Sequence, residues 1–290
     1  MPPLRLSWLS WHARNLCWPG SRLGVKSIPP AKHLVARSFG AAAASYDAVA
    51  SLQRSVGRSL LKRGSGQAGI RRILDVGAGT GFCSVLLAEH YPMAEVLALD
   101  IAEGMLRQAR SRFSGNCVGG DAEALPFASQ SLDLVVSNLA IQWCTCSLKA
   151  FAEFGRVLRP AGHLLFATFG PKTLWELRHA WASVDTLTHV NEFVATERLH
   201  EGLCAAGFDG IHIEAKVRCF DYPDVMSLMR ELKGLGARNL TSGRPRHLVG
   251  KRALAHMMAA YPRGKPGVDS SIQASFEIIM GSAHRAGGGP

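Results

Sequence analysis

Apolar residues recur along this chain in two alternating periods. The short runs "RILDV", "EVLALD", "NCVGGD", "LDLVVSN" and "GHLLFATF" read as buried strands, while residues 81–90, 102–112, 147–158 and 196–206 carry apolar side chains at helical spacing. Strand alternating with helix predicts an α/β fold, a doubly wound and mostly parallel sheet with helices on both faces. An alanine-rich stretch at 40–63, with Val49, Leu52, Val56 and Leu60 at helical spacing, comes first and "KRGSGQAG" ends it. "IHIEAKVRCF" (211–220) and "SIQASFEIIM" (271–280) add strands at the far edge, giving a seven-stranded, Rossmann-like sheet.

Two connections are longer than they need to be. About 50 residues separate the last two strands, with helical character near 223–236 and 249–260, where a hairpin needs only a few. "GPKTLWELRHAWASVDTLTHVNEF" is a second excess after the fifth strand. Ligands of open α/β sheets sit beyond the carboxyl ends of the strands, so these insertions, about 171–195 and 222–266, are expected to cap that edge as helices. The main domain is drawn at 33–284, between a basic extension at 1–32 and a flexible tail at 285–290. The extension reads as an organelle presequence or as an upstream extension of the reading frame.

Composition narrows the class. Hydrophobic content of 47% with 19% charged residues is that of a globular protein, and no apolar run approaches the roughly 20 residues that cross a bilayer. The seven cysteines include no C-x-x-C, so neither a disulfide framework nor a zinc site is expected; reduced thiols suit a cytoplasmic protein. The net charge of +11 is uneven, with no acid in 1–46 or in 232–268. Such segments are either solvated basic faces or the footprint of an acidic partner. No nucleic-acid-binding signature accompanies them.

The first strand runs into "ILDVGAGTGF" at 73–82. Glycine is needed where φ is positive or where a ligand meets the backbone, and the helix N-terminus beyond such a turn offers free N–H groups. The spacing, Gly77-x-Gly79-x-Gly81, differs from G-x-G-x-x-G, and Asp75 beside it would repel a pyrophosphate and attract an ammonium or sulfonium. Asp100 ends the second strand, where a carboxylate can accept from ribose hydroxyls, and Asp121 follows the third. Acids at three successive strand ends describe a pocket for a positively charged nucleoside. The pattern resembles the class I S-adenosylmethionine-dependent methyltransferases. That resemblance implies that Asp75 and the backbone of Gly77, Gly79 and Gly81 hold the methionine end, Asp100 the ribose, and Asp121 and Ala122 the adenine edge. Met105 would pack on the ring, Asn138 would line the floor near the sulfonium, and Tyr46 would close over the cofactor.

This fold serves many acceptors, so the insertions must choose one. "RSFGAAAASYDAVASLQR", "SNLAIQWC", "FGPKTLWELRHAWASVD", "HVNEF", "SLMRELKGLGARN" and "ASFEIIMGSAH" together resemble the malonyl-acyl-carrier-protein O-methyltransferases of biotin synthesis, over about residues 33–284. The resemblance implies esterification of the free carboxyl of a malonyl thioester, carried by acyl-carrier protein or coenzyme A, by a monomer without metal. That carboxylate is ionised at neutral pH, so no general base is expected. Arginine pairs with carboxylates bidentately, which singles out Arg178, Arg230 and Arg238, with Lys233 and His189 behind them. Gln142 and Trp143 follow the fourth strand, where the acceptor should meet the methyl group. Lys251 and Arg252 are candidates for docking the acidic carrier protein. Three alternatives stay open: a mitochondrial complex I assembly factor of the same fold, associated with arginine hydroxylation; a methyltransferase for a small free acid; and a non-catalytic cofactor binder.

Overall fold

The computed structural model describes residues 31–64, 69–240, 250–262 and 271–287. Seven strands, β1 (Arg72–Val76), β2 (Glu95–Asp100), β3 (Asn116–Gly119), β4 (Leu132–Asn138), β5 (Leu158–Phe169), β6 (Phe208–Tyr222) and β7 (Ile272–Arg285), form one sheet in the order β3-β2-β1-β4-β5-β7-β6. β1 to β5 pair in parallel, and β7 inserts antiparallel between β5 and β6. The order reverses direction between β1 and β4, so the carboxyl ends of β1, β2 and β4 open onto one crevice.

The period of two along each strand sorts its side chains into two layers. Ile73, Val96, Ala98, Leu134, Val136, Leu165 and Ala167 belong to one core, whereas Leu74, Val76, Leu97, Leu99, Val135, Leu164 and Phe166 belong to the other. Helices cover both. α4 (Phe82–His90), α5 (Glu103–Arg110), α6 (Ser147–Val157) and α8 (Thr196–Ala205) follow β1, β2, β4 and β5, close to the bounds expected from periodicity. On α6, Phe151 packs its ring 5.5 Å from that of Phe166 on β5. Burying these chains on both sheet faces explains why the strands read as continuous apolar runs.

The amino-terminal helix differs from expectation. It is three pieces, α1 (Lys32–Ala42), α2 (Tyr46–Val49) and α3 (Ser51–Arg63), and it begins before residue 40. Tertiary bonds hold the break: Asp47 accepts from Thr80 Oγ1 at 2.7 Å in the glycine loop and pairs with Arg112 at 2.6 Å. Lys32, grouped by sequence with the basic extension, opens α1; residues 1–30 lie outside the described residues.

The insertions supply α7 (Trp175–Ala182), α9 (Val225–Gly234) and α10 (Lys251–Ala260). α7 is pinned to β7 by the buried carboxylate of Glu176, which accepts from Ser275 N at 3.1 Å and from its hydroxyl. Asp224 caps α9 by accepting from Ser227 N at 2.6 Å. Among the described residues no helix is long and apolar enough to cross a membrane.

Candidate active site

A cavity opens at the carboxyl ends of β1, β2 and β4. Tyr46, Gly77, Gly79, Asp100, Met105, Asp121, Ala122, Asn138 and Trp143 line it, and a narrower extension reaches Asp75. Gly77 (φ 73°) and Gly79 (φ 57°) turn the chain out of β1 in the left-handed region. A Cβ at Gly77 would lie 2.2 Å from Ala140 Cβ, whereas one at Gly79 would meet open space among the described residues. The first glycine is required by packing, and the second leaves backbone open to a ligand. Gly81 (φ 85°) instead caps α4 and faces Ala109 on α5, so its place is structural, not on the cavity wall.

The acids are held by short local bonds. Asp100 accepts from Gly79 N at 2.9 Å and Ala102 N at 2.8 Å, which fixes the carboxylate and leaves lone pairs for a diol. Burial raises its pKa, and those backbone donors oppose the rise. Asp75 is buried and accepts from Ser84 Oγ at 2.6 Å. Burial pushes its pKa up to about 7, against the Ser84 hydrogen bond and with help from the charge of Asp100. Burial likewise raises the Tyr46 hydroxyl, with Asp100 adding to it. Asp121 accepts from Glu123 N at 2.9 Å and pairs with Lys32 Nζ at 2.5 Å; Lys32 also pairs with Glu123. Met105 is buried beside Ala43 and Ala102, with Phe39 and Tyr46 against it.

A second cavity, of about 600 Å³, lies under the inserted helices. His189, Arg230, Lys233 and Arg238 line it, among apolar walls that include Leu177, Trp181, Met229 and Phe276. Trp143 belongs to both cavities and is braced by Phe39, rings 5.0 Å apart and edge to face. His189 stacks on Trp181 at 3.8 Å and bonds Asp185 at 2.9 Å through Nε2.

Two expected substrate residues are not on this wall. Gln142 is turned away, donating to Leu139 O at 2.7 Å and accepting from Thr168 Oγ1 at 3.1 Å, so it ties the turn after β4 to β5. Arg178 donates to the carbonyls of Pro171 and Asn191 and braces the inserted loop; burial lowers its pKa. Lys251 and Arg252 are exposed at the start of α10. Sequence reasoning passed over Lys32, Gln53, Arg54 and Asn191. Arg54 lines the Asp75 end of the cofactor cavity, and Asn191 the second cavity. Gln53 and Asn191 stood inside segments already singled out, "YDAVASLQR" and "HVNEF", but nothing local marks their side chains as facing a cavity.

S-adenosylmethionine fits the residues present. Asn138 Oδ1 is buried in the cavity wall with no hydrogen-bond partner, an acceptor left for a ligand. Open space against Gly79, the fixed Asp100 and the buried Asp75 match a nucleoside with a cationic tail. Among the described residues no three His, Cys, Asp or Glu come together as a metal-binding group.

Comparison with known proteins points the same way. A family profile described as "Methyltransferase domain" matches residues 74–166. The malonyl-acyl-carrier protein O-methyltransferase of Methylococcus capsulatus is 50% identical over 272 residues, 90% of this chain and 96% of that protein. The biotin biosynthesis bifunctional protein BioHC of Cellvibrio japonicus is 42% identical over 85% of this chain, which spans 49% of that longer protein. Among solved structures, the YcgJ protein of Bacillus subtilis superposes with a TM-score of 0.57 at 14% identity, over 80% of this chain and 99% of that one, a likeness of fold.

Proposed function

The chain belongs to the malonyl-acyl-carrier protein O-methyltransferase family, and on that premise we propose how its residues divide the work of esterifying the free carboxylate of a malonyl thioester in biotin synthesis. It is an S-adenosylmethionine-dependent O-methyltransferase, a family membership that removes the assembly-factor and small-acid alternatives. The observation that carries the division of labour is the contact of two cavities at Trp143, one acid-lined and one carrying Arg230, Lys233 and Arg238.

When bound, the cofactor supplies an electrophilic methyl group on a sulfonium. Asp75, Arg54 and the open backbone at Gly79 receive its amino-acid end, Asp100 its ribose, and Asp121 with Ala122 and Met105 its base. Lys32 must yield or share Asp121 when a base arrives, since it now pairs with that carboxylate. Tyr46 and Phe39, from α2 and α1, close the cavity against water. The malonyl carboxylate needs no base at neutral pH, so the protein contributes alignment and dryness. Arg230, Lys233 and Arg238 draw the anionic acceptor into the second cavity, where apolar walls take the thioester arm. The carrier protein docks on the outside of the inserted helices, with Lys251 and Arg252 as contacts, and the enzyme works as a cytoplasmic monomer.

Purified protein incubated with S-adenosylmethionine and malonyl-acyl-carrier protein should yield a product one methyl group heavier by mass spectrometry, while acetyl-acyl-carrier protein should not change. Methylation of neither thioester by protein that binds S-adenosylhomocysteine would overturn the reading.

A further inference from the structure

Gln53 stands where the two cavities meet. It lines the Asp75 end of the cofactor cavity and also the acceptor cavity, while Trp143 joins the main cofactor cavity to the same acceptor cavity. Its Oε1 is buried without a hydrogen-bond partner, as is Oδ1 of its neighbour Asn138, whose Nδ2 donates to the Gln53 main-chain carbonyl at 3.0 Å. Buried amide groups are rarely left unpaired, so each one calls for an explanation.

The cations are elsewhere. Arg230, Lys233 and Arg238 line the acceptor cavity but not the cofactor cavity. Arg54, on the cofactor side, donates to the Asp47 carbonyl at 2.6 Å and does not line the acceptor cavity. The attacking oxygen must nevertheless sit at the junction, about 3 to 3.5 Å from the methyl carbon. We propose that Gln53 positions the reacting carboxylate: its NH2, the half of the amide that is not enclosed, donates to one malonyl oxygen and leaves the other free to attack.

A neutral donor suits this reaction better than a guanidinium. The new O–CH3 bond forms from a lone pair on the carboxylate oxygen as the methyl–sulfur bond breaks, and the electron pair of the broken bond stays on sulfur. The carboxylate therefore loses its charge along the reaction. A bidentate arginine at the reacting end would stabilise the charged ground state more than the transition state and slow the step. An amide orients the carboxylate with a smaller penalty of that kind, and the arginines further out capture the acid without clamping it.

This inference rests on the malonyl acceptor described above, and steady-state kinetics of the full chain with malonyl-acyl-carrier protein separate the two ideas. For Gln53→Ala, kcat should fall about 10- to 100-fold, because the attacking oxygen is no longer held in line, with KM for the malonyl thioester changed less than about threefold. Calorimetric affinity for S-adenosylhomocysteine should stay within about threefold of wild type, which reports an intact fold and cofactor site. Gln53→Glu should be slower still, because it sets a like charge beside the acceptor. Ester from wild type and from Gln53→Ala at equal kcat would overturn the role of Gln53 alone. So would a parallel loss of kcat and of S-adenosylhomocysteine affinity, which would make Gln53 a cofactor or folding residue. No ester from wild type would overturn both ideas.

Discussion

Asp75 is the residue whose chemistry depends most on what it faces. Burial holds its pKa near 7, so the ligand-free protein carries it partly protonated at neutral pH. The folded state then keeps a proton that the unfolded chain releases at about pH 4, so Asp75 withdraws stability as pH rises from there through 7. A cationic amino-acid tail reverses the preference, because only the carboxylate attracts it. Affinity for S-adenosylhomocysteine should therefore strengthen about tenfold between pH 6 and pH 8 and level off above that, the span set by titration of one group near 7. Titration calorimetry across that range checks it, and in Asp75→Asn the slope should vanish. A flat wild-type profile would remove Asp75 from the ammonium site. Asp75, Asp100 and Asn138 were legible in the sequence because strand ends project to one crevice whatever the tertiary detail. Gln53 and Lys32 were not, since their significance lies in which distant group they meet: Lys32 reaches Asp121, 89 positions along the chain.

Elements followed from periodicity wherever one face of a strand or helix is buried in the sheet's own layers. The break between α1, α2 and α3 escaped that logic. An alanine-rich sequence carries high helix propensity throughout, and the interruption depends on Asp47 meeting Thr80 and Arg112. The turn after β1 shows how two glycines in one motif serve different ends. Gly77→Ala would drive a methyl group into Ala140 and strain a positive φ, costing about 2–4 kcal/mol of stability. Gly79→Ala carries only the φ penalty of about 1–2 kcal/mol, but its methyl group would project into the cofactor's space. Urea unfolding without ligand should rank Gly77→Ala below Gly79→Ala, while S-adenosylhomocysteine affinity of the folded Gly79→Ala protein should drop by about tenfold or more. Wild-type affinity in Gly79→Ala would mean that the ligand does not approach this backbone.

At the scale of the whole molecule, charge decides how a protein-borne substrate arrives. The acid-free stretch at 232–268 was legible as a possible footprint, yet composition alone could not tell a solvated face from a docking one. Geometry adds an argument. Lys251 and Arg252 open α10, a helix with no acid in its first turn, and two cations at a helix N-terminus oppose its dipole. Each such charge costs about 0.3–1 kcal/mol, so folding gains nothing from their placement. On the docking proposed above, an acidic carrier protein would supply the compensating benefit by meeting exposed positive charge on a helix that packs against the acceptor-cavity helix α7. Replacing both with glutamate should therefore raise the thermal midpoint and at the same time lower kcat/KM for malonyl-acyl-carrier protein about tenfold at low salt. The deficit should shrink near 1 M salt, where the screening length is about 3 Å, and should be absent with malonyl-pantetheine, which carries no protein surface. A protein made more stable yet slower only with its carrier cannot be explained by damage to the fold. Equal loss with both substrates would move these residues from docking to the catalytic site, and no loss with either would leave the basic face to solvation alone.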